Sequence, residues 1–325
     1  MNKTHFLYLF ISLFLFSCKK GDTDLPKKTT GRINSISVIV DDLWWNGEIG
    51  DNIRNKFASP VIGLPQEEPL FTINQYPVKL MEGFMTDCRN IIVIKKGNEN
   101  KFQIKENQCA APQNVFHITG KTAGAILEIL EKNSPKMIQI IHQTEIAEKQ
   151  RLNRMSLMNI KAINKQFNIK IEIPSSYEQV LQKDNFIWLK KEIVSGNTSL
   201  LIYQLPLNSF KSGGNLVSNV IKIRDSIGHL YIHGKEANTD MVTEEAYAPY
   251  FFKIKQDGKL TYETKGTWEV KNDFMSGPFV NYAIVDQEHN RLLVLEGFCY
   301  SPSKEKRDLM HELESIIKSV SIVKK

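Results

Sequence analysis

The sequence is poor in three features, each of which would indicate a particular class of protein. Beyond residue 20, no apolar run is long enough to cross a membrane as a helix. Basic side chains exceed acidic ones only slightly, 42 to 36, and acids are interspersed throughout, so nothing indicates a nucleic-acid-binding protein. Cysteine occurs only four times. The sequence therefore predicts a water-soluble body, and its length leaves room for two domains.

Signatures of hydrolase and metal chemistry are also missing or incomplete. No Gly-x-Ser-x-Gly segment occurs. His311-Glu312 begins like a zinc-protease motif, but Ser315 takes the place of its second histidine. His229 and His233 are four residues apart, but the glycines beside them predict a loop, where this spacing is weak evidence for zinc. We expect no cofactor and no metal, and the sequence identifies no catalytic residue.

The long apolar run lies at the N-terminus and has the organisation of an export signal. Lys3 precedes an apolar stretch over residues 6–16, which would span about 16 Å as a helix. Because a bilayer core is about 30 Å thick, a cleaved signal peptide is the better interpretation. The run ends at Leu15-Phe16-Ser17-Cys18, which resembles the lipobox of bacterial lipoproteins. This resemblance implies that Cys18 is lipidated and holds the protein at the cell envelope, in the outer membrane with the body in the periplasm; the alternative is an ordinary signal peptide in which Cys18 is incidental.

Composition and pattern divide the chain into a signal, a tether and folded units. Residues 1–17 form the predicted signal peptide, and residues 18–31, rich in Lys, Gly and Pro, form a predicted flexible tether. We expect a first α+β unit over 32–150, a helical connector over 151–168 and a second α+β unit over 169–325. The predicted fold class is α+β, with two α/β-sandwich-like units and mostly antiparallel sheets.

The cysteines leave two alternatives open. If Cys18 is lipidated, three remain, which is an odd number. Cys88 and Cys109 are placed to form a bridge across a hairpin in an oxidising periplasm. Alternatively, both of them and Cys299 are buried thiols, and sequence alone does not decide between these arrangements.

Local patterns predict most of the helices and strands. Alternating or continuous apolar residues predict strands at Ser35–Val40, Asn90–Ile94 and Lys259–Val270. Ser134-Pro135 has the form of a helix start, with a serine cap and a proline at the first helical position. A short helix is predicted over Tyr177–Leu181. Both units then follow the order strand, short helix, strands, helix.

Four longer phrases of the chain resemble one known family. The phrases are Val40–Gly47, Gly63–Phe71, Trp268–Phe279 and Glu296-Gly297-Phe298. Together with the lipobox, they are similar to a family of uncharacterised Gram-negative bacterial lipoproteins classed as a domain of unknown function. The resemblance extends over nearly all of the chain after residue 17 and implies an envelope location, but it implies no catalytic residues. The closing hairpin and helix also resemble PsbP-like α/β sandwiches, which is a likeness of fold only.

The feature with the most bearing on function is an acidic doublet before aromatic residues, which occurs three times in the chain. The three copies are Asp41-Asp42 before Trp44-Trp45, Glu67-Glu68 before Phe71, and Glu244-Glu245 before Tyr247 and Tyr250. Sugar-binding sites pair carboxylates, which accept hydrogen bonds from hydroxyl groups, with flat aromatic rings. Alternatively, the acids are turn and cap residues and the rings anchor the core, since aromatic side chains bury large areas.

Two hypotheses for the function follow. The first is a non-enzymatic, membrane-tethered envelope lipoprotein that binds an unknown envelope protein or a glycan. The second is a glycan-active hydrolase that uses two of Glu67, Glu68, Glu244 and Glu245, because carboxylates held about 5–10 Å apart can cleave a glycosidic bond. The hydrolase predicts that two doublets share one cleft with one carboxyl strongly desolvated, whereas the binding protein predicts exposed or scattered doublets.

Overall fold

The computed structural model of the protein describes residues 27–80, 86–210 and 215–324. The predicted signal peptide, Cys18 and most of the predicted tether lie outside these residues. The helices in the described residues are α1 Asp42–Trp45, α2 Glu48–Phe57, α3 Ala123–Asn153, α4 Lys161–Phe167, α5 Leu216–Tyr231 and α6 Arg307–Lys318. The strands are β1 Ser35–Ile39, β2 Thr72–Tyr76, β3 Asn90–Lys96, β4 Lys101–Glu106, β5 Asn114–Gly120, β6 Ile169–Lys170, β7 Glu178–Lys183, β8 Phe186–Ile193, β9 Gly196–Pro206, β10 Met241–Thr243, β11 Tyr250–Gln256, β12 Lys259–Val270, β13 Ser276–Asp286, β14 Arg291–Tyr300 and β15 Ser321–Ile322.

The first unit is built on a five-stranded sheet with the order β2-β1-β3-β5-β4. β1 runs parallel to β2 and β3, β3 runs parallel to β5, and the edge strand β4 is antiparallel to β5. Both faces of β3 are covered, which explains the unbroken apolar run Ile91–Ile94. On one face, Ile92 and Phe116 pack with Ile53 of α2 and Leu130 of α3.

The second unit is built on an antiparallel sheet of eight strands. Strands β12, β13, β14, β9, β8 and β7 follow one another across it, and β10 and β11 both pair with β12 at its other edge. Side chains of β13 alternate between the two faces: Val280 and Tyr282 pack with Leu313 of α6, whereas Phe279 and Ala283 belong to the core beneath α5. The sheet is therefore a middle layer between two helices.

The predicted α+β class is confirmed, and most strand pairs of the described residues are antiparallel, although the first sheet is mainly parallel. Helix α3 joins the two units, because it packs on the first sheet and its last turns bond to α6 of the second unit. The side-chain amide of Gln150 donates to the backbone carbonyl of Ser315 at 3.0 Å, and that of Asn153 donates to the Ser315 hydroxyl at 3.2 Å. None of the helices in the described residues has the length and apolar character that a membrane span requires.

The predicted helix start at Ser134-Pro135 is wrong, because Pro135 lies inside α3. The helix begins twelve residues earlier, at Ala123, where the Thr122 side chain accepts a hydrogen bond from the backbone N–H of Ala125 at 3.2 Å. Proline removes one backbone hydrogen bond from a helix interior. Leu130 and Met137, on either side of it, are fully buried against the sheet, so packing offsets that loss.

The predicted helix over Tyr177–Leu181 is also wrong, since this segment enters strand β7, which pairs with β8.

Near the N-terminus, the described residues begin inside the predicted tether. Lys28 pairs with Ala111 and Thr30 with Cys88 in isolated bridges. Residues 28–31 therefore belong to the first unit.

The described cysteines are free thiols. Cys109 is exposed, Cys88 is half-buried and Cys299 is buried. Burial raises the pKa of the Cys299 thiol to about 12. Of the two alternatives that the sequence leaves open, the structure contains free thiols rather than a bridge between Cys88 and Cys109, although only Cys299 is fully buried.

Candidate functional site

A loop of the first unit crosses onto the second unit, and we call its residues 59–70 the strap. The backbone N–H of Leu70 donates to the carbonyl of Ser59 at 2.8 Å, which closes the base of the loop. Gly63 has a φ of +80°, and a Cβ atom there would lie 3.0 Å from the Cβ of Lys265 on β12. Glycine thus permits both the turn and the close approach of the strap to the second sheet.

Glu68 anchors the strap to the second unit. Its carboxylate accepts two hydrogen bonds of 2.7 Å, from the backbone N–H groups of Lys306 and Arg307 at the start of α6. The Arg307 side chain returns a bond of 2.9 Å to the carbonyl of Pro69. A carboxylate at a helix N-terminus satisfies unpaired donors and opposes the helix dipole. The buried Glu68 is thus a helix cap, as the structural alternative for the acidic doublets predicted.

One candidate site is an open groove of about 560 Å³ along the strap. We call it the groove; its walls are strap residues 60–67 and the segment that carries Glu244, Tyr247 and Tyr250. Tyr247 is 69% exposed and Tyr250 is 49% exposed. Glu67 is exposed and Glu244 is half-buried. The groove therefore brings together residues from two of the three acidic–aromatic copies.

The third copy lies elsewhere in the first unit. Asp41 and Asp42 are exposed, and Asp42 accepts a hydrogen bond of 3.1 Å from the Gln75 side chain. Trp44 and Trp45 pack at the margin of the first core. None of these four residues lines the groove in the described part of the chain, and neither does Glu68 or Glu245.

A second space of about 330 Å³ shares the strap as a wall, and we call it the cavity. Apolar side chains of the strap and of the second unit form most of its lining: Val61, Ile62, Leu64, Phe279, Val280 and Met310. Polar side chains from α3, β12 and α6 also converge on it: His142, Lys265, Arg307, His311 and Glu314. A mostly apolar space with a few convergent polar groups is the usual form of a small-molecule site.

The charged groups at the polar end of the cavity neutralise one another. The ammonium of Lys265 lies 3.0 Å from a carboxylate oxygen of Glu263 and 3.3 Å from one of Glu314, which also pairs with Lys318 at 2.8 Å. Burial works to lower the pKa of Lys265, but Glu314 and Glu263 outweigh it and raise that pKa. Burial works to raise the pKa of Glu314, but Lys265 and Lys318 hold it well below its ordinary value. Lys265 and Glu314 are therefore both charged at neutral pH.

Two histidines meet where α3 contacts α6 beside the cavity. The rings of His142 and His311 stand edge to face, with 6.0 Å between their centroids. Burial lowers the pKa of His142 to about 4, although Glu314 opposes the effect from 3.8 Å away. Burial also lowers the pKa of His311, against a hydrogen bond to the backbone of Glu145. Both rings are therefore neutral at pH 7.

The cavity residues were not predicted from the sequence. His142, Lys265 and the pair His311 and Glu314 come from distant parts of the chain, and only the crossing of α3, β12 and α6 brings them together. The spacings of four and three between Arg307, His311 and Glu314 place them on one face of α6, which is a local signal. His311-Glu312 was considered as the beginning of a zinc motif, but Glu312 instead pairs with Lys149 at 2.6 Å.

Other histidine and acidic clusters are occupied by internal contacts. His229 lies in the last turn of α5 rather than in the predicted loop, and it shares Asp240 with His233 at 2.6 and 2.8 Å. Asp286, Glu288 and His289 bring three ligand atoms within 4.8 Å of one another. Arg291 and Lys259 already pair with that Asp286, at 2.9 and 3.4 Å. Positive charge is thus supplied there by the protein itself.

Similarity to protein families agrees with the two-unit architecture. A family described as Domain of unknown function (DUF4837) matches residues 156–319, about half of the chain. This chain belongs to the DUF4837 family. A second domain of unknown function, DUF8532, matches residues 29–154. The predicted membership of a domain-of-unknown-function family is confirmed, whereas lipidation stays a prediction; the DUF4837 match contains β12, α6 and the second wall of the groove.

Solved structures offer only distant likenesses to the DUF4837 chain. The Ran-binding protein Mog1p of Saccharomyces cerevisiae is 10% identical, with 48% of this chain and 91% of that chain covered and a TM-score of 0.34. Human StAR-related lipid transfer protein 5 is 8% identical, with 54% and 98% covered and a TM-score of 0.24. At these scores the likeness identifies neither a fold nor a function. No curated protein is similar enough to count as a match.

Proposed function

We propose that this chain is a non-enzymatic, lipid-anchored protein of the cell envelope that binds a glycan in the groove. The observation that carries the proposal is the convergence of Glu67, Glu244 and two exposed tyrosines in one open groove. Exposed tyrosine rings offer flat apolar surfaces with a polar edge. Hydrated carboxylates accept hydrogen bonds from hydroxyl groups without the cost of prior burial. This combination suits a sugar chain better than an anionic lipid or a nucleic acid, which the two carboxylates would repel.

The burial of the carboxylates favours binding over hydrolysis. A general acid in a glycosidase needs a carboxyl whose environment disfavours its charged form. Glu67 is exposed and Glu244 is only half-buried. Glu68 is buried, but both of its oxygens accept backbone hydrogen bonds from α6, which leaves it unsuited to proton transfer. The groove therefore has the composition of a recognition surface.

Binding to purified bacterial envelope glycans tests the groove. The panel contains peptidoglycan fragments and lipopolysaccharide core oligosaccharides, and affinity is measured by isothermal titration calorimetry. We expect Tyr247→Ala to weaken binding at least tenfold, since it removes the most exposed ring of the groove. The matched control Phe274→Ala removes a fully exposed aromatic ring outside the groove and should leave the affinity unchanged. Absence of binding to the whole panel contradicts the proposal, and release of new reducing ends would favour the hydrolase.

The envelope anchor rests on the sequence, namely Lys3, the apolar run over residues 6–16 and the lipobox that ends at Cys18. Mass spectrometry of the native mature protein should find Cys18 at the N-terminus with diacylglycerol and N-acyl chains. Cys18→Ser should move the protein from the membrane to the soluble fraction, whereas Cys109→Ser, which alters an exposed cysteine of the body, should not. An unmodified N-terminus would exclude the anchor and leave the groove proposal standing.

A further inference from the structure

We infer that the cavity is a second binding site, for a neutral and mainly apolar small molecule that carries one hydroxyl group. This site is separate from the proposed glycan groove, although strap residues 60–64 line both. The inference does not depend on what the groove binds. It rests on the lining of the cavity, on the balance of its charges and on one buried atom without a partner.

The lining requires a largely apolar ligand. A volume of about 330 Å³ falls at the lower end of the range for small-molecule pockets. Val61, Ile62 and Leu64 approach from the strap, and Phe279 and Met310 approach from the second unit. A ligand that covers these side chains removes apolar surface from water on both partners, which is favourable at about 25 cal/mol per Å².

The charges beside the cavity exclude an ionised ligand. Lys265 and Lys318 balance the carboxylates of Glu263 and Glu314. Arg307, which also lines the cavity, has its donors directed to Asp308, to the carbonyl of Pro69 and to the hydroxyl of Thr72. An anion or cation that enters loses its hydration and finds each opposite charge already paired, so its desolvation is not offset.

One hydrogen-bond acceptor remains for a ligand hydroxyl. His311 is only 6% exposed, and its Nε2 atom has no hydrogen-bond partner among the described residues. The ring is neutral at pH 7 and bonds to the backbone of Glu145 through its other nitrogen. A neutral imidazole that donates from one nitrogen accepts at the other. A buried acceptor left unpaired is costly, so a hydroxyl group that donates to Nε2 gains both a bond and the relief of that cost.

Matched pairs of small molecules test the site on the full mature chain. The probes are 2-naphthol with naphthalene and 2-naphthoate, and 1-octanol with octane, which cover a flat and a flexible apolar body. Binding is measured by isothermal titration calorimetry at pH 7.5. We expect at least one alcohol to bind at least tenfold more tightly than its hydrocarbon, and 2-naphthoate to bind at least tenfold more weakly than 2-naphthol. Failure of both alcohols to bind, or equal binding of the acid, overturns the inference.

Two variants locate the binding. His311→Phe keeps an aromatic ring but removes the acceptor, so it should abolish the preference for the alcohol and leave hydrocarbon binding unchanged. Leu64→Trp should fill the cavity and abolish binding of both, whereas Leu157→Trp, at an exposed position away from the cavity, should have no effect. His311→Leu, which also lacks a hydrogen-bond acceptor, replaces the first variant if circular dichroism shows loss of structure. An undiminished preference for the alcohol in the His311 variant, or undiminished binding by Leu64→Trp, refutes the site.

Discussion

The groove and the cavity share one wall, but they treat their polar groups in opposite ways. In the groove, Glu67 and Tyr247 face water and are free to contact a ligand. Beside the cavity, the charged groups are already paired within the protein, and the Nε2 atom of the neutral His311 ring has no hydrogen-bond partner among the described residues. The groove is thus suited to recognise a partner by many hydrated polar contacts. The cavity is suited to recognise one by shape and a single hydrogen bond.

The same contrast separates two neighbours in the chain. Glu67 is exposed at the groove, whereas Glu68 is 6% exposed and caps α6. An acidic doublet in a sequence is therefore no evidence that its two members share a task. Substitutions that affect one of these two glutamates and leave the other in place test whether they have separate roles.

The largest effect is expected from Glu68→Ala. It leaves the backbone N–H groups of Lys306 and Arg307 without their acceptor and frees the strap from α6. We expect a loss of about 3 kcal/mol in the free energy of unfolding, measured by urea denaturation, because hydrogen bonds to a buried charged group are among the strongest. The adjacent Glu67→Ala should change stability by no more than about 0.5 kcal/mol. Equal effects of the two changes would mean that the strap is not anchored through Glu68.

A smaller effect is expected from pH, through His142. The pKa of its folded state, about 4, lies below the ordinary value of 6.5 in the unfolded chain. The folded protein therefore binds fewer protons, so stability is complete above pH 6.5 and falls as the pH drops towards 4. Between pH 7.5 and pH 5 the loss should be about 2 kcal/mol for this group.

Urea unfolding at the two pH values measures that loss. His142→Gln should reduce the pH dependence by about the same 2 kcal/mol, because glutamine does not titrate. A His233→Gln control, which changes an exposed histidine outside the cavity lining, leaves the contribution of His142 in place. An identical pH dependence in the wild type and in His142→Gln would show that His142 titrates normally in the folded protein.

Regular patterns in the sequence predicted much of the second unit. The strand Lys259–Val270 is found with its predicted bounds, because it alternates and is long. Two of the wrong predictions have local causes. Ser134-Pro135 satisfies the rules for a helix start, but buried residues on both sides hold the helix together through it. The segment after Tyr177 forms an edge strand whose mostly exposed side chains give little alternation.

The two candidate sites also differ in how far they could be predicted from the sequence. The convergence of Glu67 and Glu244 was one of the predicted outcomes for the acidic doublets, because both belong to a local pattern. The cavity has no such pattern, because His142, Lys265 and His311 lie on three different elements, α3, β12 and α6. The topology of the fold determines which distant residues meet. A single sequence indicates that topology only through the patterns of its helices and strands.

The contact between Glu68 and α6 joins residues 238 and 239 positions apart in the chain. Because synthesis runs from the N-terminus, a growing polypeptide contains the glutamate long before the helix that it caps. The strap therefore has no place to dock until residues 306 and 307 have been synthesised. Contacts of such long range form slowly, so this contact between the two units belongs to a late stage of folding.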